Sequence, residues 1–193
     1  ADALLGDRRQ REVVELGVQN TEGSNATVYD PTKYYNFLIG MNSRLDAMQA
    51  AILQIKMKHL DAWNKARTAL SMRYTDNLRK AGLIGNDFLV PQGELDAAES
   101  VYHLYIVKCE QREELSAYLN EQGIATGTYY PVPLHLQKVY QMGAHKLGYT
   151  LGDLPQSEWL SKRTMALPLF PEMTEEQQDY IINSIKEFYV SRG

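Results

Sequence analysis

Apolar residues recur at helical spacing from Ser43 to about Lys80. The spacing follows the 3.6-residue period of an amphipathic helix. It predicts one apolar face made of Leu45, Met48, Ile52, Ile55, Leu60, Trp63, Leu70, Tyr74 and Leu78. Gly82 is suited to end this helix. A helix of ~38 residues would be ~57 Å long. Because that is too long for the core of a 193-residue chain, we expect the helix to bend or to brace a larger structure.

After Gly82 the pattern is that of a compact α/β unit. Residues 100–109 are rich in β-branched and aromatic side chains and predict a strand. Residues 111–123 predict a helix closed by Gly123, and residues 124–130 predict a second strand. A proline-broken loop over residues 131–143 and a short helix with an extended exit over residues 154–170 follow. A final helix, opened by the capping-box pair Thr174 and Gln177, is expected to bury Ile181, Ile182, Ile185 and Phe188.

These patterns divide the chain into three parts. Residues 1–42 form an N-terminal segment, with a short charged helix over residues 3–16 and a loop over residues 20–37. Residues 43–82 form a long connecting helix, and residues 83–193 form a small C-terminal domain. The predicted fold class is therefore α/β (α+β), with a long N-terminal helix followed by a small C-terminal α/β domain.

Composition and charge narrow the possible functions. The formal net charge is -4, so a basic face for nonspecific nucleic-acid binding is not expected. No apolar run approaches the ~20 residues that span a bilayer, and the first residues lack a signal-peptide pattern, so we expect a cytoplasmic protein. The single cysteine, Cys109, excludes an internal disulfide and a thiolate metal cluster. The histidines lack metal-ligand spacing, with His59 predicted on the helix surface and His103 packed in the strand.

The stretch GMNSRLD, residues 40–46, places an amide and a guanidinium at the predicted start of the long helix. Ser43, with Asp46 three residues later, fits a capping box and is interpreted as the N-cap. Asn42 and Arg44 go beyond what a cap requires. Because a helix N-terminus attracts anions, these two residues are candidates for a phosphate site. The alternative is a surface Arg44 paired with a nearby carboxylate.

The stretch TYYPVPLH, residues 128–135, places three polar-tipped rings on a stiff loop. Pro131 and Pro133 restrict its backbone, and Tyr129, Tyr130 and His135 stand around them. Loops held by a scaffold commonly carry binding residues. The alternative is a solvent-exposed turn with aromatic packing.

Three stretches in order resemble the DegT/StrS family of sugar aminotransferases, enzymes that use pyridoxal phosphate. They are KYYNFLIGMNSRLDAMQAAIL, GIATGTYYPVPLHLQKVY and GDLPQSEWLSKRTMALPLFPEMTEEQ. The order and spacing are similar from about residue 33 to the end. The resemblance implies the fold of the small domain of fold type I aminotransferases. It also implies that the chain corresponds to the C-terminal part of such an enzyme.

The resemblance further implies roles for individual residues. In such enzymes the Asn of the GMNSRLD element reaches across a dimer interface and helps to hold the cofactor phosphate of the other subunit. Here that residue is Asn42, with Arg44 near the same phosphate or a substrate phosphate. The YYPVPLH loop would face the nucleotide-sugar, with Tyr129, Tyr130 and His135 as contacts. Many relatives have His where this chain has Tyr129.

The resemblance also implies a missing part. In complete family members a large domain, upstream of this region, carries the lysine that forms the Schiff base. No lysine here, Lys33 in the polar stretch DPTKYY included, has suitable surroundings, so no catalytic residue is assigned. The chain would then be a natural short product, one half of a two-chain enzyme, or a fragment. In the first two cases the large domain would come from another chain, in a homo- or hetero-oligomer.

Two functions follow as expectations. In the first, the chain is the C-terminal portion of a pyridoxal-phosphate aminotransferase that acts on a keto-sugar nucleotide in polysaccharide biosynthesis, and it is inactive alone. In the second, the chain is a non-catalytic dimerisation or interaction module. That module would offer Met48, Ile52 and Ile55 to a partner.

Overall fold

The computed structural model describes residues 34–36, 39, 42–85, 88–93, 97–142 and 146–192. The helix predicted over residues 3–16, most of the loop predicted over residues 20–37, Lys33 and His145 lie outside these residues. The chain divides into two compact units. The smaller unit comprises residues 1–40 and 131–154, and the larger unit comprises residues 41–130 and 155–193.

The larger unit begins with two helices, α1 (Ala47–Met57) and α2 (Leu60–Lys80). They replace the continuous helix predicted over residues 43–82, and the break lies at Lys58 and His59. The amides of these two residues donate to carbonyls three residues earlier, at 3.3 and 3.0 Å, which tightens the chain and ends α1. Helix α2 then begins with the 3.0 Å bond from the Trp63 amide to the His59 carbonyl. Bending was one of the two outcomes that the sequence left open.

The larger unit contains a three-stranded antiparallel sheet in the order β1-β2-β3. Its strands are β1 (Val90–Pro91), β2 (Tyr105–Lys108) and β3 (Thr164–Leu167). Strand β2 confirms the strand predicted within residues 100–109, although it is shorter. Strand β3 forms from the extended exit predicted within residues 154–170, and its Leu167 pairs with Tyr105 of β2.

The strand predicted over residues 124–130 is wrong. Within this segment the structure has a single isolated bridge, between Gly127 and Ala166 of β3. The Gly127 amide donates to the Ala166 carbonyl at 3.2 Å, and the Ala166 amide donates to the Gly127 carbonyl at 2.7 Å. The chain bends at Tyr129, two residues after the bridge, and the extended run ends there. Strand propensity alone could not predict where the pairing would stop.

The remaining helices are α3 (Arg112–Glu121), α4 (Lys138–Gln141), α5 (Pro155–Ser161) and α6 (Glu175–Val190). Helix α4 belongs to the smaller unit. The core of the larger unit joins the sheet to α2, α3 and α6. It includes Tyr74, Leu78, Tyr105, Val107, Leu115, Leu119, Met165, Leu167, Ile181, Ile182, Ile185 and Phe188. The four residues predicted to be buried by the final helix are therefore confirmed as core.

Polar contacts fix α6 on α2. Thr174 and Gln177 form both bonds of the predicted capping box, at 3.2 and 3.0 Å. Arg73 of α2 donates to Gln178 at 2.6 Å and pairs with Asp179 at 2.9 Å. The Asp179 carboxylate holds the pKa of the Arg73 guanidinium above its usual value. These contacts anchor the C-terminal half of α2, whereas α1 has no buried residue.

The smaller unit is organised around Gln137, which follows a 3-10 turn at Leu134–Leu136. The Gln137 side chain accepts from the Asn36 amide at 2.9 Å and donates to the Tyr34 carbonyl at 2.7 Å. The Val139 amide donates to the Asn36 carbonyl at 2.9 Å. One buried amide thus ties residues 34–36 to the start of α4.

Candidate functional site

The start of α1 is capped by Asp46, not by Ser43. The Asp46 carboxylate accepts from the Gln49 amide at 2.8 Å, and the helix begins at Ala47. The interpretation of Ser43 as the N-cap is therefore wrong, because the helix starts one turn later than the sequence pattern indicated. Asn42 and Arg44 lie in the irregular segment before the cap, not in the first helical turn.

Arg44 and Asn42 are both exposed. Within the part of the chain that the structure describes, Arg44 forms no ion pair or hydrogen bond, so the alternative of a carboxylate-paired Arg44 is not seen there. The helix terminus already carries the carboxylate of Asp46, which occupies part of its positive end. An anion at this place would therefore be held mainly by the side chains of Asn42 and Arg44. A guanidinium and an amide offer the donors that a phosphate group accepts.

Tyr129 and Tyr130 lie at the exposed end of the segment that follows the Gly127 bridge. They are 38% and 62% exposed, and their ring centroids are 5.6 Å apart at an interplanar angle of 87°. The peptide bond between them is cis. Two large rings with this exposure can contact a ligand from outside the chain. The same geometry also fits the alternative of an exposed turn with aromatic packing.

His135 belongs to the smaller unit and is only 5% exposed. Its ring meets that of Tyr149 edge to face, at 6.2 Å between centroids. The Gln141 side chain donates to the carbonyls of both residues, at 2.6 Å to His135 and 3.0 Å to Tyr149. The smaller unit therefore holds His135 firmly, with little of its surface available to a ligand.

Two further histidines among the described residues, His59 and His103, are both exposed. His103 is exposed, so its predicted packing in a strand is wrong: it precedes β2. His59 is exposed as predicted and lies 5.5 Å from the Trp63 ring. In the described ranges no group of His, Cys, Asp and Glu could hold a metal ion. The described lysines are all exposed or half-buried: Lys56, Lys58, Lys65, Lys80, Lys108, Lys138, Lys146, Lys162 and Lys186.

Among the residues that the structure describes, no helix has the length and apolar character needed to cross a membrane.

Sequence reasoning overlooked Gly127. It lies two residues before Tyr129, and in an extended segment such residues face the same side. A glycine two residues before a large aromatic residue in an extended segment is the sequence signal that could have identified Gly127.

The comparisons with known proteins agree with the resemblance. The pattern of the DegT/DnrJ/EryC1/StrS aminotransferase family matches residues 14–186. A "Pleiotropic regulatory protein" from Geobacillus stearothermophilus is 48% identical over 157 residues, which are 81% of this chain and 40% of that protein. The dTDP-3-amino-3,4,6-trideoxy-alpha-D-glucose transaminase of Streptomyces venezuelae is 39% identical over 156 residues, which are 81% of this chain and 39% of that protein.

A solved structure gives the same picture. The crystal structure of S. venezuelae DesV in complex with a ketimine intermediate has a TM-score of 0.67 and 34% sequence identity. The match covers 89% of this chain and 41% of that one. The predicted fold class is thereby confirmed, and the chain spans about two fifths of the length of these relatives.

Proposed function

The chain belongs to the DegT/DnrJ/EryC1/StrS aminotransferase family, and from this premise we propose that it forms the C-terminal part of an enzyme that transfers an amino group to a keto-sugar nucleotide. The cofactor would be pyridoxal phosphate, as the family implies. The proposal includes a cytoplasmic location and a part in polysaccharide biosynthesis. Its activity would require a large domain that carries the Schiff-base lysine.

The observation that carries the proposal is the exposed guanidinium of Arg44. It lies two residues along the chain from Asn42, which is also exposed, and has no ion-pair partner among the described residues. A cation placed this way is available to an anion on another domain or chain. We propose that Asn42 donates a hydrogen bond to the cofactor phosphate. Arg44 would provide a charge-assisted bond to the same phosphate or to a phosphate of the substrate.

The bound cofactor would supply the electron sink for moving the amino group, and this chain would supply binding and orientation. We propose that the exposed rings of Tyr129 and Tyr130 contact the sugar nucleotide. His135, in the smaller unit, is proposed separately as a residue that affects sugar-nucleotide binding. Because so little of His135 is exposed, we expect it to act mainly by holding Tyr149. No proton transfer is assigned to a residue of this chain.

A second candidate function follows from α1. Its apolar side chains Met48, Ile52 and Ile55 are exposed, as expected for an interaction module. One relative carries the name of a regulatory protein. In this second proposal the chain binds a partner through α1 and takes no part in catalysis. The partner could be a second copy of this chain or a full-length relative.

Reconstitution separates the two functions. The chain would be combined with a lysine-bearing large domain of the family and supplied with pyridoxal phosphate, an amino donor and a keto-sugar nucleotide. The first proposal predicts a yellow assembly that transfers the amino group, and no turnover by the chain alone. A colourless complex without turnover would support the second. Turnover by the pure chain would contradict the need for a second domain.

A further inference from the structure

Gly127 is crowded by a single side chain, that of Tyr129. A Cβ placed on Gly127 would lie 2.7 Å from Cε2 of Tyr129, and 3.2 Å from both Cζ and the hydroxyl oxygen. Carbon atoms prefer separations of about 3.5–4.0 Å, so the closest of these contacts could not persist. The Tyr129 ring therefore lies in the space that a side chain at position 127 would fill.

Backbone conformation does not explain the glycine at position 127. The described glycines that need a left-handed backbone are Gly82, Gly123, Gly148 and Gly152. Gly127 is not one of them, so an alanine could adopt its backbone. The other six described glycines have no atom within 4 Å of an added Cβ. Of the seven glycines that the structure describes, Gly127 alone has a ring where a Cβ would lie.

The backbone around Gly127 is held by hydrogen bonds, whereas the Tyr129 ring is held by packing, including its edge-to-face contact with Tyr130. Two hydrogen bonds join Gly127 to Ala166, and the hydroxyls of Thr126 and Ser116 are 2.7 Å apart. The Tyr129 ring is partly exposed, and its hydroxyl has no hydrogen-bond partner within the described part of the chain. An added Cβ would therefore displace the ring and leave the backbone in place.

We propose that Gly127 is a positioning residue: its missing Cβ sets where the Tyr129 ring lies and so how that ring contacts the sugar nucleotide. This inference rests on the proposed function, in which Tyr129 is a substrate contact. Gly127 itself touches no ligand. Its effect on substrate binding passes entirely through Tyr129.

The position of the ring is tested first, by NMR on the isolated chain. The parent should show a nuclear Overhauser effect between the Gly127 α protons and the ring protons of Tyr129. In Gly127→Ala the nuclear Overhauser effect between the single α proton of residue 127 and the Tyr129 ring protons should be lost. The chemical shifts of the Tyr129 ring should change, whereas those of the core residues should not. Gly93→Ala is the matched control, because Gly93 has open space and no left-handed backbone, and it should keep the effect. Persistence of the effect in Gly127→Ala overturns the inference.

The consequence for substrate is tested by steady-state kinetics on the complete assembly. Gly127→Ala and Tyr129→Ala should each raise the KM for the keto-sugar nucleotide by about 2- to 12-fold, as expected for one aromatic contact. In both variants kcat should stay within about 2-fold of the parent. In the Tyr129→Ala background, Gly127→Ala should have no further effect, because the ring that it displaces is absent. Equal effects in both backgrounds overturn the inference.

The design separates this inference from the function on which it rests. If the parent assembly does not turn over, or if Tyr129→Ala leaves KM unchanged, the substrate role of Tyr129 fails and the kinetic half of the inference fails with it. The NMR result then still decides whether Gly127 sets the position of the ring. An active assembly with a normal Tyr129→Ala effect and no Gly127→Ala effect overturns the inference alone.

Discussion

At the scale of single residues, Asp46 determines where α1 begins. Replacing it with alanine removes the bond to the Gln49 amide, which should cost about 1 kcal/mol of local helix stability. Because α1 has no buried residue, the loss should appear as roughly 5-fold faster amide exchange within α1. Global unfolding should stay unchanged. Hydrogen–deuterium exchange with mass spectrometry on the isolated chain measures both effects.

Two variants serve as controls for this cap. Asp46→Asn keeps a side-chain oxygen at the same place and should exchange nearly as slowly as the parent. Ser43→Ala should have no effect, since Ser43 lies before the cap. Acceleration by Ser43→Ala as large as that by Asp46→Ala would show that the cap has been assigned to the wrong residue.

Cys109 is predicted to be chemically inert in the folded chain. Burial raises the pKa of its thiol to about 12, from an ordinary value of 9.0, and only the thiolate reacts. At pH 8 a disulfide reagent such as DTNB should modify the native chain slowly and the urea-unfolded chain at once. Fast, stoichiometric modification of the native chain would contradict the burial of Cys109.

The same burial predicts a dependence of stability on pH. Above about pH 9 the unfolded thiol loses its proton while the folded thiol keeps it. The free energy of unfolding should therefore be unaffected by this group below pH 9 and should fall as the pH rises toward about 12. Urea titrations of the parent and of Cys109→Ala, compared across this range, isolate the contribution of the thiol.

At the scale of elements, the apolar side chains of α1 and α2 follow the same helical period, but those of α2 are buried in part and those of α1 are not. Leu78 in α2 is fully buried, whereas Ile52 in α1 is 55% exposed. Leu78→Ala should lower the free energy of unfolding by about 2–5 kcal/mol. In a chain diluted enough to be monomeric, Ile52→Ala should change it by less than about 0.5 kcal/mol. Urea denaturation measures both, and an equal cost at the two positions would mean that this chain itself packs against α1.

The elements show which features a sequence can predict. The capping pair Thr174 and Gln177 predicted α6 because the signal is local, and the β-branched run predicted β2 for the same reason. The length of the apolar period indicated that a small domain could not cover the whole helix, but the period could not show that the uncovered part would be α1. The cap was misplaced because Ser43 and Asp46 are both good capping residues. The choice between them depends on where the backbone becomes helical.

For the candidate site, local motifs selected the residues but could not predict how buried each one is. Asn42, Arg44, Tyr129 and Tyr130 were predicted from motifs, and the structure finds all four exposed. The burial of His135 was not foreseen, because it depends on Tyr149, fourteen residues further along the chain. The spacing of residues within a short motif does not indicate contacts with residues so far along the chain.

At the scale of the whole molecule, the uncovered face of α1 predicts association. The exposed apolar side chains on this face are Met48, Ile52 and Ile55. Burying each would contribute roughly 1.5–3 kcal/mol. We therefore expect the isolated chain to self-associate, with a mass by light scattering above its own 22.0 kDa.

A charge placed on this face should oppose the association. Ile52→Lys is the test variant, and Met72→Lys, on an exposed position of α2, is the control. Only the first should return the chain to a monomer. A monomeric parent at tens of micromolar would contradict the prediction.

The central claim is that Asn42 and Arg44 hold a phosphate of the complete enzyme, and cofactor titration tests it most directly. Pyridoxal phosphate would be titrated into the assembly of this chain with a lysine-bearing large domain. Loss of one hydrogen bond to a charged group costs about 1.5–3 kcal/mol. Asn42→Ala should therefore weaken cofactor binding by roughly 10- to 150-fold. Arg44→Ala should weaken it at least as much if the guanidinium touches the cofactor phosphate, and Ser43→Ala should leave it unchanged. Binding by Asn42→Ala as tight as that of the parent would contradict the claim.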